Sequence, residues 1–175
     1  MSRSEAGEDH GNWLWHRLVS SLGLGIVPRS RQPGAARWIL ASILAIGLSL
    51  LACRGIALAA FGFDPLLAGY GHLQFGDYSR LVILGVAAAC VAWRVVAAVS
   101  ARARFAFLIL AILVTVVGFA PDVWILHLGQ PPAGVEALVA MHLALALITY
   151  PVLVLVSPQR RESGGITLGS GSAAT

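Results

Sequence analysis

WILASILAIGLSLLACRGIALAAF, residues 38–61, decides the fold. Its 24 residues contain a single charge, Arg54, and a hydrocarbon core of about 30 Å needs about twenty apolar residues at ~1.5 Å per residue. Three further runs of this kind follow, at about 81–99, about 105–120 or slightly beyond, and about 135–156. In lipid the backbone can satisfy its polar groups only within a helix or a closed barrel. None of the four runs has the period-two alternation of a barrel strand. The reading is an all-α fold, a transmembrane bundle of four helices.

Composition agrees. Charged residues make up 11% of the 175-residue chain and apolar ones 58%, outside the usual range of water-soluble domains. All 12 basic residues are arginine, and the net charge is +4. These arginines flank apolar segments instead of interleaving with aromatics on a soluble face, which argues against a nucleic-acid partner. They collect in the N-terminal arm, at the turn with Arg102 and Arg104, and at Arg160 and Arg161, whereas the first and third loops hold only Arg80. The positive-inside rule then predicts a multi-pass protein of the cell membrane with both termini cytoplasmic and the 62–80 and 121–134 loops outside.

The chain divides into a cytoplasmic arm (1–35), a four-span domain (36–156) and a cytoplasmic tail (157–175) whose Gly, Ser, Ala and Thr predict disorder. Within the arm Leu14, Leu18, Leu22 and Ile26 recur every fourth residue beside Trp13 and Trp15. That spacing predicts an amphipathic helix lying in the headgroup layer. The apolar run begins too far into the chain for a typical secretory signal, so the first span is expected to stay uncleaved.

In lipid, helices associate where small side chains let backbones approach and where polar groups find partners. Ala41, Ala45, Ser49, Cys53 and Ala57 form such a groove on the first span. Gly85, Ala88, Ala89 and Ala92 on the second, and Ala140 and Ala144 on the fourth, are the expected matching surfaces. The third span is bulkier and is expected to face lipid or another protein. Pro121 should end or kink it, leaving residues 123–128 as a short interfacial segment, and Tyr150 before Pro151 marks a bend in the fourth. Cys53 and Cys90 lack any redox or zinc spacing and read as small core residues.

Arg54 is the most unusual residue in a span. Counted from Trp38 it lies about 10 Å beneath the outer surface, where a charge costs a few kcal/mol unless it snorkels or is paired. Its expected partners lie among Asp64, Asp77, Asp122 and Glu136, with His142 at similar depth and His127 just above. A binding site built from Arg54, Asp122, His127, Glu136 and His142 in the outer half is one reading. A structural ion pair locking the spans is the other, and it has the stronger physical case. Arg94 is close enough to the inner surface to snorkel there beside Trp93. No nucleotide loop, nucleophile elbow or HExxH helix is present, so no catalytic residue, metal site or cofactor is expected, and enzyme activity is not expected.

The stretch from Thr115 to Asp122 (TVVGFAPD), with Gly129 to Pro132 and Met141-His142, resembles a family of small four-span membrane proteins of actinobacteria whose function is unknown. That resemblance spans the four helices and implies an architecture and a bacterial inner membrane, but no activity. The expected role is interaction: an accessory or assembly subunit, or a regulator, in a membrane complex, with the bilayer and other membrane proteins or a second copy as partners. The alternative is an oligomeric carrier of a small molecule or ion that uses the outer polar site.

Overall fold

Four long helices follow one another in a computed structural model that describes residue 17, residues 20–22 and residues 33–159. They are α1 (Ala35–Phe63), α2 (Phe75–Val99), α3 (Ala103–His127) and α4 (Pro132–Val156). All four are long and apolar enough to cross a membrane. At about 37–43 Å each they exceed a hydrocarbon core of ~30 Å, so their ends reach into the headgroup layer. The tail and most of the arm, including nearly all of the expected amphipathic helix, lie outside the described residues. Of that helix, residues 17 and 20–22 are helical.

The groove anticipated on α1 is its buried face: Ala41, Ala45, Ser49, Cys53 and Ala57 are its buried residues. Spacing of four keeps them on one side of a 3.6-residue helix, and their small size lets α4 approach closely. The α1–α4 contact is the most extensive in the bundle. The matching surfaces differ from expectation. On α4 the buried positions include Ala137, Met141, Thr149 and Leu153, while Ala140 is exposed and Ala144 half-buried. On α2 the buried line is Tyr78, Val82, Val86, Cys90, Trp93 and Ala97, larger side chains than the expected Gly85, Ala88, Ala89 and Ala92. Those four instead line a cleft between α2, α3 and α4, where α2 meets its neighbours less fully. Cys53 and Cys90 are buried free thiols.

The bulky third span is the least covered of the four. Only Ala103, Phe107 and Asp122 of α3 are buried, and Ile112, Leu113, Val114, Val116 and Val117 are exposed. Pro121 neither ends the helix nor detaches residues 123–128 from it, because α3 runs on to His127. In lipid the carbonyl left free by a helical proline can be tolerated where neighbours satisfy it. Pro151 likewise lies within α4. The second helix begins at Phe75, six residues before the expected Leu81, so Arg80 belongs to α2 and not to a loop.

One end of the bundle is closed by the α1–α2 connection, which forms two short 3-10 turns, Pro65–Gly69 and Gly71–Leu73. Asp64 begins the first turn by accepting a hydrogen bond from the Leu66 N–H at 3.0 Å. Gln74 Nε2 donates to the Ala68 carbonyl at 2.6 Å. Leu67 and Leu73 are buried beneath these turns. The Tyr70 ring then lies on Gly134 in the first turn of α4, so closely that a Cβ there would sit 2.9 Å from Tyr70 Cε1. Gly134→Val is expected to destabilise the bundle by about 1–3 kcal/mol through this overpacking, measured as a lower unfolding midpoint in mixed micelles. An unchanged midpoint would mean that the connection is not seated on α4.

The opposite end is tied by backbone acceptors. Trp93 Nε1 donates to the Ser157 carbonyl at 3.0 Å, and Gln159 Nε2 donates to the carbonyls of Ala97 at 2.7 Å and Ser100 at 2.9 Å. Those two carbonyls are among the groups that the end of α2 leaves without helical partners. The arm also docks here: Ser100 Oγ donates to the Leu22 carbonyl, and Arg102 Nη1 to the Ser21 carbonyl at 3.1 Å. Arg94 lies over the Trp38 ring, 5.1 Å from its centroid. Trp38 Nε1 in turn donates to the Cys90 carbonyl at 2.9 Å.

Candidate functional site

Of the five polar residues singled out in the sequence, the fold brings two together. Asp122 Oδ2 lies 3.0 Å from His142 Nδ1, which joins α3 to α4. Asp122 is only 3% exposed, whereas the His142 side chain is about one-third exposed. Asp122 falls inside α3, one turn before its end, because the helix continues through Pro121.

The imidazole is held from two directions. Nδ1 is also 3.1 Å from the Leu138 carbonyl, one turn earlier on α4. Both neighbours of Nδ1 are oxygens that accept, so this nitrogen carries the hydrogen and the ring orientation is fixed. The Leu138 carbonyl meets hydrogen-bond geometry, and Asp122 Oδ2 has no hydrogen bond of its own; its contact with the ring is one of proximity. The far edge of the ring lies against Gly118, where a Cβ would be 3.2 Å from His142 Cδ2 and 3.5 Å from Nε2. Gly118 thus makes room for the histidine, and Phe119 meets the same ring edge-on at 6.1 Å between centroids.

Tyr70 completes this region from the α1–α2 connection. Burial, and to a lesser extent the nearby Asp122 carboxylate, push its phenol above the usual tyrosine range, so the group stays neutral at physiological pH. Its hydroxyl has no hydrogen-bond partner. Sequence reading passed over Tyr70 as part of a turn. The signal available was an aromatic residue between Gly69 and Gly71, too weak to place it beside Asp122.

The other three expected members do not converge. Arg54 is exposed on the outer surface of α1 and makes no ion pair or hydrogen bond within the described chain. The expectation of an acidic or carbonyl partner for it is therefore corrected. The reason is angular: Arg54 follows Cys53 of the buried groove by one residue, a turn of about 100° away from the neighbouring helices. His127, in the last turn of α3, and Glu136, in the second turn of α4, are also exposed. Among the described residues no group of three His, Cys, Asp or Glu side chains is placed to hold a metal ion.

What the pair does in the fold is clear from its geometry: one buried carboxylate and one oriented imidazole pin α3 to α4 in the apolar interior. The ion pair anticipated from the sequence had Arg54 as its cation, and Arg54 takes no part in this contact. No family model, curated protein or solved structure matches the chain.

Proposed function

We propose that this protein acts by association inside the membrane, as an accessory or assembly subunit or a regulator within a larger complex. The observation that carries the reading is Arg54, an arginine within the apolar length of α1 on a face that no other helix covers among the described residues. Its nearest neighbours on that face are Leu51, Gly55 and Leu58, all exposed. Counted from Phe63 it lies about 13 Å below the outer end of α1, and a guanidinium at such depth is costly unless it snorkels or meets an opposite charge. A partner polypeptide with a carboxylate in the outer half of its own span would meet that need. Gly55 and Ala59 beside it would let the partner backbone come close.

The sidedness that goes with this reading puts both termini in the cytoplasm of a bacterial cell, since arginine gathers at the arm, the α2–α3 turn and the tail. The likeness to small four-span actinobacterial membrane proteins belongs to the same proposal. A second reading, an oligomeric carrier, draws its support from Asp122 and His142, a pair of ionisable groups that joins α3 to α4.

Gentle detergent extraction followed by mass spectrometry of co-purifying proteins tests the first reading. A stoichiometric complex is expected, with Arg54→Leu losing the partner, Arg54→Lys keeping a weakened form of it, and the unfolding midpoint of the isolated protein unchanged in both. An isolated monomer or homo-oligomer from native membranes would overturn it. Flux that depends on His142 would move the case to the carrier.

A further inference from the structure

The cleft between α2, α3 and α4 has a volume of about 490 Å³, within the range of about 300–1,000 Å³ typical of small-molecule sites. It follows α4 from Leu138 to Tyr150, a length of about 18 Å at ~1.5 Å per residue. That is slightly more than the apolar half-thickness of a bilayer, about 15 Å. Its walls are almost wholly apolar, and the α2 side mixes small residues, among them Gly85 and Ala89, with larger ones such as Leu81 and Val82. A Cβ at Gly85 would touch nothing, so this wall stands away from α3 and α4.

Two hydroxyls in the lining have no protein partner. Tyr78 is 3% and Thr149 6% exposed, both line the cleft, and neither Tyr78 OH nor Thr149 Oγ1 makes a hydrogen bond. A buried unpaired hydroxyl costs roughly 1–3 kcal/mol, and in the apolar part of a bilayer water is not there to satisfy it. The other two hydroxyls of the lining are taken: Thr115 donates to the Ala111 carbonyl at 2.8 Å and Tyr150 to the Arg104 carbonyl at 3.3 Å. The ring of His142 is the remaining polar group of the wall, with Nδ1 occupied and Nε2 on the Gly118 side. No arginine, aspartate or glutamate lines the cleft.

We propose that the cleft is a binding site for one uncharged, elongated lipid whose oxygen atoms accept hydrogen bonds from Tyr78 or Thr149 and meet His142. Length and apolar walls select a single chain that enters sideways from the bilayer. Apart from His142, whose imidazole already faces Asp122, no wall residue can carry a charge, so phosphate, carboxylate and ammonium heads would be desolvated there without a counter-charge of their own. Carbonyl or hydroxyl heads, as in a prenylated or alkylated quinone, match the unpaired donors. This site is independent of the outer face of α1 and does not rest on the association proposed above.

The test uses the full chain purified in micelles and probes with one chain length and different heads: a decyl-benzoquinone, decyl phosphate and decyltrimethylammonium. Retention is read by native mass spectrometry and binding by the rise in unfolding temperature, since a ligand that binds only the folded state stabilises it. The neutral quinone should bind one-to-one and raise the unfolding temperature, and the two charged probes should do neither. Gly85→Leu, which fills the cleft from its open wall, should abolish the effect. One of Thr149→Val and Tyr78→Phe, whichever removes the donor to the head, should weaken binding about fivefold, the loss of one hydrogen bond, and neither should lower the stability of the unliganded protein. Equal stabilisation by all three heads would overturn the proposal, as would a full response in Gly85→Leu or in the double variant Thr149→Val/Tyr78→Phe.

Discussion

Replacing His142 with leucine is expected to cost the bundle about 3–5 kcal/mol, because it strands the Asp122 carboxylate in the interior with no counter-group. Asp122 is buried and, among the described residues, has only His142 beside it at ion-pair distance. Replacing both, as Asp122→Leu with His142→Leu, should recover most of that loss, since apolar side chains of similar volume often do as well as a buried pair. Unfolding in mixed micelles, run as a double-mutant cycle, gives the coupling directly. A single substitution costing under about 1 kcal/mol would mean that water or lipid headgroups reach Asp122. The cycle also separates the two roles considered for the pair: a folded double variant that has lost a measured flux would assign it to transport.

Trp93→Ala carries the second large expectation, a loss of about 3–5 kcal/mol. Trp93 is 0% exposed, its ring packs on Phe107 at 5.2 Å between centroids, and its indole N–H serves the Ser157 carbonyl. In lipid the loss comes not from exposure to water but from abandoned dispersion contacts and an orphaned acceptor. Trp93→Phe keeps most of the packing and removes the donor, so it should cost about 1–2 kcal/mol. If the phenylalanine variant were as damaged as the alanine one, the hydrogen bond and not the packing would be the larger contribution. Both are measured by the same unfolding titration.

Much of the bundle was legible because membrane helices obey a narrow set of constraints. Length alone located the four spans, and spacing of four picked out the face of α1 from Ala41 to Ala57 that the fold buries. The exposure of α3 followed from its bulky side chains. The partner faces were harder, because alanine is common in every span and small residues alone do not say which neighbour they meet. Gly85, Ala88, Ala89 and Ala92 border an opening, while Cys90, Trp93 and Ala97 pack in the core. Pro121 was overread as a terminator, since a rule drawn from soluble helices weakens where lipid forbids any alternative to helix.

The polar residues show a similar division between depth and direction. Counting residues placed Arg54 and His142 at comparable depth. Direction needed the wheel: Cys53 at the centre of the groove already turned Arg54 away from it. His142 found Asp122 because α3 continues past Pro121, which a loop assignment for Asp122 had hidden. Tyr70 and the docking of Ser21 and Leu22 on the α2–α3 turn depend on long-range contacts that no local pattern encodes.

The hydrogen bonds from Gln159 to Ala97 and Ser100, and from Trp93 to Ser157, also set an order of events during synthesis. The C-terminal end of α2 is made with its last carbonyls and an indole still waiting for partners that are translated some sixty residues later. Until residue 159 has left the ribosome, the first three spans form an unsealed intermediate, and the final few residues before the tail act as its fastening.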